Sequence, residues 1–168
     1  MHRFLKIFFI ISLLGPCLAY TQELKDTPVK SDMVEIEADR LDIDTSQGKA
    51  VFQGSVKAAK GDIIVNSQML TLFYDNKTQK VTSLIAEREV FVLWQDKEAT
   101  CSQAVYSLDR EIMELTGDVI ITKGEETLSG QKVIVDMASE TQVVEGSGGR
   151  VKIRVNTQEE SGILQWEK

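Results

Sequence analysis

The side chains that most often carry out catalysis are scarce in this 168-residue chain. Its one histidine is His2, and its two cysteines are Cys17 and Cys101. Histidine is the usual base that activates a serine or cysteine nucleophile, so histidine-dependent nucleophilic catalysis is not predicted for the chain beyond its first residues. The sequence also lacks the Cys/His cluster that binds zinc. We therefore predict no metal and no cofactor, and we interpret Cys101 as a small buried residue on a strand.

Carboxylates are the remaining candidates for chemistry, because one pair of Asp or Glu side chains is sufficient for glycoside hydrolysis. However, Asp75, Asp109 and Asp136 each fall where a strand pattern ends, and aspartate is a common turn residue. The glycine-rich residues 146–149 have neither standard spacing of a phosphate-binding loop. A strand pattern follows them at 150–153, where a phosphate loop requires a helix. The chain is therefore predicted not to be an enzyme.

The first residues are typical of a secretory signal. A basic start precedes an apolar run over 5–14, which is shorter than the roughly 20 residues that span a bilayer. We predict a signal peptide over 1–19, cleaved after Ala19; an uncleaved anchor and a lipid-modified Cys17 are the alternatives. Cleavage removes two basic residues and moves the formal net charge from −7 to −9. This acidity argues against nucleic acid, whose phosphates require clustered Lys and Arg.

Beyond the leader, apolar residues alternate with polar ones, which is typical of strands with one buried face. Residues 20–33 show no period and are expected to be a linker. The alternation runs over 34–155, with a slip at Asp39-Arg40 that predicts a bulge or a corner. Short strands separated by polar turns predict an all-β domain. Residues 156–168 form a C-terminal tail, whose apolar end is expected to cover the last sheet edge.

The strand pattern repeats at a spacing of 63 residues. Gly54 matches Gly117, and Phe52 matches Leu115. Such a repeat indicates an array of like units that bury their apolar sides against one another. A glycine inside a strand indicates a bend or the close approach of another segment. A finer motif, polar-x-apolar-x-apolar, starts at four positions: Asp39, Gln68, Ser102 and Gln131.

These motifs resemble the OstA-like family of lipopolysaccharide-transport proteins. The likeness is carried by 36–39, by 60–62 and by the Gly-centred segments 52–56 and 115–119, and it covers roughly 34–155. The resemblance implies an open antiparallel β-jelly-roll, folded over like a V and built from two repeats of about 63 residues. It also implies an apolar interior and ends that join protomers head to tail.

The function implied by the resemblance is that of a periplasmic bridge protein. Such a protein binds the acyl chains of lipopolysaccharide in an apolar groove and moves the lipid from the inner to the outer membrane. The implied partners are lipopolysaccharide or a related glycolipid, the inner-membrane and outer-membrane OstA-like transport proteins, and further copies of the chain. Two alternatives remain: a structural or adhesive secreted β-repeat protein with a packed core, and a membrane-anchored inner-membrane component of the same export pathway.

The candidate site residues lie on the strand faces where every second residue is apolar. On the resemblance, we expect acyl chains to contact Phe52, Val56, Val65, Leu70, Leu72, Tyr106, Leu115, Val119, Leu128, Val133 and Val135. Edge strands present unpaired N–H and C=O groups, which makes them natural sites for strand addition. The expected oligomer edges contain Val34, Ile36, Val151, Ile153 and Val155. The charges that we expect to limit uncontrolled edge pairing are Lys57, Lys60, Asp62, Glu125 and Glu126.

Overall fold

The computed structural model describes residues 33–146, 148–158 and 162–164; the predicted leader and all of the predicted linker except Met33 lie outside these residues. The described residues form ten strands and one short 3-10 helix, Gly162–Leu164. No helix in this part of the chain is long and apolar enough to cross a membrane. The strands are β1 (Glu35–Glu37), β2 (Arg40–Asp44), β3 (Lys49–Lys60), β4 (Ile63–Tyr74), β5 (Val81–Trp94), β6 (Lys97–Ser107), β7 (Ile112–Lys123), β8 (Glu126–Asp136), β9 (Thr141–Glu145) and β10 (Lys152–Arg154).

All ten strands belong to one open antiparallel sheet, which confirms the predicted fold class. From β3 to β8, strands that are consecutive in sequence are neighbours in the sheet. β1 and β2 share the first edge, because both pair with β3: β1 with residues 57–59 and β2 with residues 49–53. β10 and β9 share the last edge in the same way, along 127–129 and 132–136 of β8. The break between β1 and β2 is the corner predicted at Asp39-Arg40.

A line of register shifts crosses the sheet through the middle of β3 to β7. In β3 the shift falls between Gln53 and Val56, and the backbone has positive φ at both residues of 54–55. In β7 the same conformation occurs at 117–118. A bulge bends its strand and increases the local twist. A row of bulges therefore folds the whole sheet along one line, which we call the fold line.

The fold line divides the sheet into two leaves that face each other. Each leaf consists of short hairpins, because every long strand contributes one half to each leaf. Leaf A contains residues 40–53, 69–87, 103–116 and 132–145. Leaf B contains residues 35–37, 56–66, 90–100, 119–129 and 152–154. Apolar side chains from both leaves form one core cluster between them.

The two repeat glycines lie at the fold line, where a neighbouring side chain covers them. A Cβ added at Gly117, whose φ is +83°, would lie 2.5 Å from Ser102 Oγ and 2.6 Å from Ser102 Cβ. A Cβ added at Gly54 would collide with the carboxylate of Asp39, whose N–H donates to the Gly54 carbonyl at 3.0 Å. Asp39 and Ser102 each begin one copy of the finer motif. The glycine of each repeat therefore contacts the first residue of a finer motif, and these contacts set the position of the fold line.

Candidate functional site

Two rows of apolar residues face each other between the leaves, and each row crosses the sheet from one edge to the other. Each row contributes one residue from every strand segment of its leaf, and the members are consecutive cross-strand partners. The leaf A row is Leu41, Phe52, Leu70, Ala86, Ala104, Leu115, Val133 and Val144. The leaf B row is Ile36, Ala58, Val65, Val92, Ala99, Ile121, Leu128 and Ile153.

All the predicted lining residues lie in or against the core cluster between the leaves. Those that are buried are Val56, Leu70, Leu115, Val119, Leu128, Val133 and Val135. Those that are partly buried are Phe52, Val65, Leu72 and Tyr106. Lys132, on the opposite face of leaf A, instead forms an ion pair with Glu114, with 2.8 Å between Nζ and Oε1. The structure therefore brings the predicted set together on one face, while lipid contact at these residues stays a prediction.

The space between the leaves is packed unevenly along the two apolar rows. Its C-terminal half contains fully buried residues such as Ile121 and Val133. The N-terminal half leaves an apolar cavity of about 50 Å³. An engineered apolar cavity of about 150 Å³ holds one benzene molecule, so this cavity in its present conformation is too small for an acyl chain. An acyl chain would fit at this cavity only if the two leaves moved apart.

Small side chains create this cavity, and sequence reasoning missed them. Ala86 and Ala104 are cross-strand partners on leaf A, and Ala58 lines the cavity from leaf B. Alanine is the smallest residue with a side chain, so a group of alanines on facing strands leaves volume that larger residues would fill. The available signal was the coincidence of alanines at inward positions of consecutive strands. That coincidence is visible only when the register is known.

The cavity extends to the tips of the leaves, opposite the fold line, because Lys60 and Ile63, on either side of the turn between β3 and β4, are among its lining residues; we call this end of the cavity its mouth. Lys60 ends β3 at the tip of leaf B, and Tyr106 lies near the tip of leaf A. The Lys60 Nζ donates to the Tyr106 hydroxyl at 3.4 Å and lies 5.3 Å from the centre of its ring. Lys60 also lines the cavity. This side-chain contact joins the leaf tips at this point.

The C-terminal tail joins the leaves at the other end of the interior. Ile163 is fully buried, and its N–H donates to Glu126 Oε2 at 3.1 Å. Glu126 Oε1 accepts from the N–H of Asn156 at 3.2 Å, while Gln142 Nε2 donates to the Leu164 carbonyl at 3.2 Å. Glu126 belongs to leaf B and Gln142 to leaf A, so the tail bridges them. The interpretation of Glu126 as an exposed edge charge was wrong, because it is only 8% exposed and holds the tail.

The exposed apolar residues gather at the two edges. Ten large apolar side chains are exposed among the described residues, and eight of them lie in or beside the edge segments. Near the first edge these are Met33, Leu41 and Ile43; near the last edge they are Val143, Val151, Ile153, Val155 and Leu164. The predicted edge residues Val34 and Ile36 also lie at the first edge, where both are partly buried. β9 contributes to the last edge, which the sequence prediction had limited to 151–155.

The side chains that were considered as candidates for catalysis lie in the core or stabilise turns. Cys101 is buried on β6, as predicted, and burial raises the pKa of its thiol to about 11, so the unreactive protonated form prevails at neutral pH. Asp75 accepts from the N–H of Thr78 at 2.7 Å and from that of Lys77 at 3.0 Å, and these bonds, that of Thr78 first, lower the pKa of its carboxyl. Asp136 accepts two N–H groups of its turn in the same way.

The chain resembles known proteins in both sequence and fold. Residues 35–141 match the family model described as "LptA/(LptD N-terminal domain) LPS transport protein". An uncharacterized protein of Rhizobium meliloti, R00383, is 28% identical over 133 residues, which cover 74% of this chain and 72% of that protein. The crystal structure of LptH, described as the LptA-homologous periplasmic component of the lipopolysaccharide transport device of Pseudomonas aeruginosa, matches with a TM-score of 0.67 at 14% identity. That match covers 77% of this chain and 99% of LptH, and it supports the jelly-roll fold.

Proposed function

Because this chain belongs to the LptA/(LptD N-terminal domain) family of lipopolysaccharide transport proteins, as its motifs indicated, we propose that it is a periplasmic bridge component. In this proposal the space between leaf A and leaf B takes the acyl chains of lipopolysaccharide or a related glycolipid. The lipid then moves along the interior from the inner toward the outer membrane. Family membership also favours a transport role over an enzymatic one.

The observation that carries the proposal is the pair of apolar rows that run from edge to edge. Each buried CH₂ group contributes about 0.8 kcal/mol, so a 14-carbon chain in water carries a cost of roughly 10 kcal/mol. An interior that is apolar at every strand lowers this cost along its whole length. Both rows begin and end at open sheet edges, where Leu41 is 48% and Ile153 is 48% exposed. A second protomer added at an edge would therefore continue the apolar surface.

The close packing of the C-terminal half favours a second candidate, a structural β-repeat protein with a filled core. Photo-crosslinking distinguishes the two candidates. We expect photoreactive residues at Phe52 and Leu115 to capture lipopolysaccharide, whereas Thr71 and Lys132 on the opposite face should capture none. Exclusive capture from Thr71 and Lys132 would place the lipid on the outer surface. A folded protein that captures no lipid from any of the four positions would support the structural protein.

We further propose that protomers, and OstA-like partners in the two membranes, add to the edges of the sheet. Edge addition provides backbone hydrogen bonds without demanding a particular side-chain sequence. A contact between two different edges does not close on itself, so it can extend into a chain of protomers. The clustering of exposed apolar side chains at both edges supports this arrangement.

Substitution at the last edge tests the head-to-tail contact. We expect wild-type protein to form concentration-dependent oligomers in sedimentation, and Ile153→Asp to raise the apparent dissociation constant at least about tenfold by placing a charge in the contact. Ile120→Asp is the matched control, because Ile120 is similarly exposed, at 45%, but lies in β7 away from both edges. Equal loss of association in both variants, with both monomers folded, would contradict edge addition.

A further inference from the structure

Lys60 occupies an unusual electrostatic position among the lysines near the leaf B tips. Lys123 Nζ lies 2.9 Å from Asp96 Oδ2, and Lys97 Nζ lies 3.9 Å from Oδ1 of the same carboxylate. Among the residues that the structure describes, no carboxylate lies within 4.0 Å of Lys60 Nζ. Its partner is the neutral hydroxyl of Tyr106. The chain is acidic overall, so a cation without a counter-ion at this point is not a consequence of excess positive charge.

The surroundings of Lys60 combine this cation with an apolar cavity. The cavity wall is almost entirely apolar, and Val65, Leu70 and Ala86 are among its residues. A lysine commonly lays its methylene groups along an apolar surface and keeps its ammonium at the boundary. Lys60 has this arrangement, since it lines the cavity and its Nζ lies at the mouth over the Tyr106 ring. The site therefore presents an apolar compartment with one positive charge at its opening.

We propose that this mouth is a recognition site for an anionic amphiphile, with the alkyl chain inside the cavity and an acidic head group, such as a phosphate, on Lys60. The inference rests on the proposed function, because it requires an acyl chain between the leaves. The Lys60–Tyr106 contact is long for a hydrogen bond, so it opens more easily than a short, charge-assisted ion pair. An anionic head group replaces the tyrosine hydroxyl by a charged acceptor when the leaf tips separate.

Calorimetric titration with two single-chain ligands tests this site. Decyl phosphate and decyl maltoside carry the same alkyl chain, and they are added to the full-length wild-type protein below their micelle concentrations. We expect decyl phosphate to bind about fivefold to tenfold more tightly than decyl maltoside. Lys60→Met preserves the methylene stem and removes the charge. It should weaken decyl phosphate binding by about the same factor and change maltoside binding less than about twofold.

Two further variants separate the charge from the fold. Lys60→Arg retains a cation and should retain the preference for phosphate. Lys57→Met, on the same strand but on the opposite face, removes an equal charge and should leave both affinities unchanged. Lys60→Met should melt as cooperatively as wild type, which shows that any loss of binding is local.

Five outcomes would overturn the proposal. Equal weakening of both ligands by Lys60→Met would give Lys60 a purely structural role, and an unchanged phosphate preference would remove it from the site. Displacement of decyl phosphate by inorganic phosphate in excess would assign the site to a free anion. A wild-type protein that binds neither amphiphile would remove the acyl site itself and contradict the proposed function, whereas binding of decyl maltoside alone would leave that function intact.

Discussion

Replacement of Gly117 by alanine should destabilise the domain by about 2–5 kcal/mol. Two costs add at this position. The φ of +83° is unfavourable for a residue with a Cβ, and the added atom would lie 2.5 Å from Ser102 Oγ. Because Ser102 belongs to the adjacent strand at the fold line, neither residue can move without changing the bend of the sheet. Urea unfolding followed by circular dichroism measures the change in the free energy of unfolding.

A second glycine provides the matched control for this prediction. Gly124 has a φ of +57°, and among the described residues no heavy atom beyond its two chain neighbours lies within 4 Å of a Cβ added there. Gly124→Ala should therefore show only the conformational part of the cost, about 1–2 kcal/mol. Ser102→Gly, introduced into the Gly117→Ala protein, should recover the steric part. Equal losses from the two single substitutions would show that the close approach at the fold line does not contribute to stability.

The fold line also shows how far the sequence predicts this structure. Gly54 and Gly117 identified two of its positions, since glycine within a strand pattern indicates a bend. The central position is at Arg88 and Glu89 of β5, with φ values of 67° and 55°, and no glycine indicates it. Non-glycine residues adopt this conformation when their neighbours hold them there. Gln68 Nε2 donates to Glu89 Oε2 at 3.2 Å across the strands, a contact that requires the tertiary structure.

The alternation of apolar residues predicted the buried face on which Leu70, Leu115 and Val133 lie, because one face of each strand must be buried. It did not predict the size of the space between the leaves. That volume depends on which residues meet across the two leaves, as Ala58 and Ala104 do at the cavity. These residues are 46 positions apart in the chain, and their proximity follows from the fold line. The local apolar pattern thus determines which face of each strand is buried. The pairing of distant strands determines the volume between the leaves.

The C-terminal tail was predicted to cover the last edge, and the structure assigns one of its residues to the core. Ile163 begins a short apolar stretch with Leu164 and Trp166 after a polar segment, and this stretch is too short to show a period that indicates which residue is buried. Its partner Glu126 lies 37 residues earlier and was misinterpreted because charged residues are seldom buried. The buried Glu126 carboxylate accepts the backbone N–H groups of Ile163 and Asn156. A carboxylate can be buried in this way because its charge is hydrogen-bonded.

Truncation of Ile163 to alanine should therefore reduce stability by about 2–5 kcal/mol, although the residue lies close to the C-terminus. Its side chain is 0% exposed and belongs to the core cluster, so the substitution leaves a cavity between β7, β8 and the tail. The neighbouring Leu164 is 51% exposed, and Leu164→Ala should change stability by less than about 0.5 kcal/mol. Urea unfolding measures both variants under the same conditions.

Hydrogen exchange at the Ile163 amide tests the same contact without a change in the core. This N–H donates to Glu126 in a buried position, so in the wild-type protein it should exchange only on substantial opening of the fold. Glu126→Ala removes the acceptor, and exchange at Ile163 should accelerate while the amides of β5, far from the tail, remain protected. Rapid exchange in the wild type, together with equally small effects of Ile163→Ala and Leu164→Ala, would place the tail on the surface. The C-terminal end of the apolar rows would then be open, and a docking protomer would not need to displace the tail.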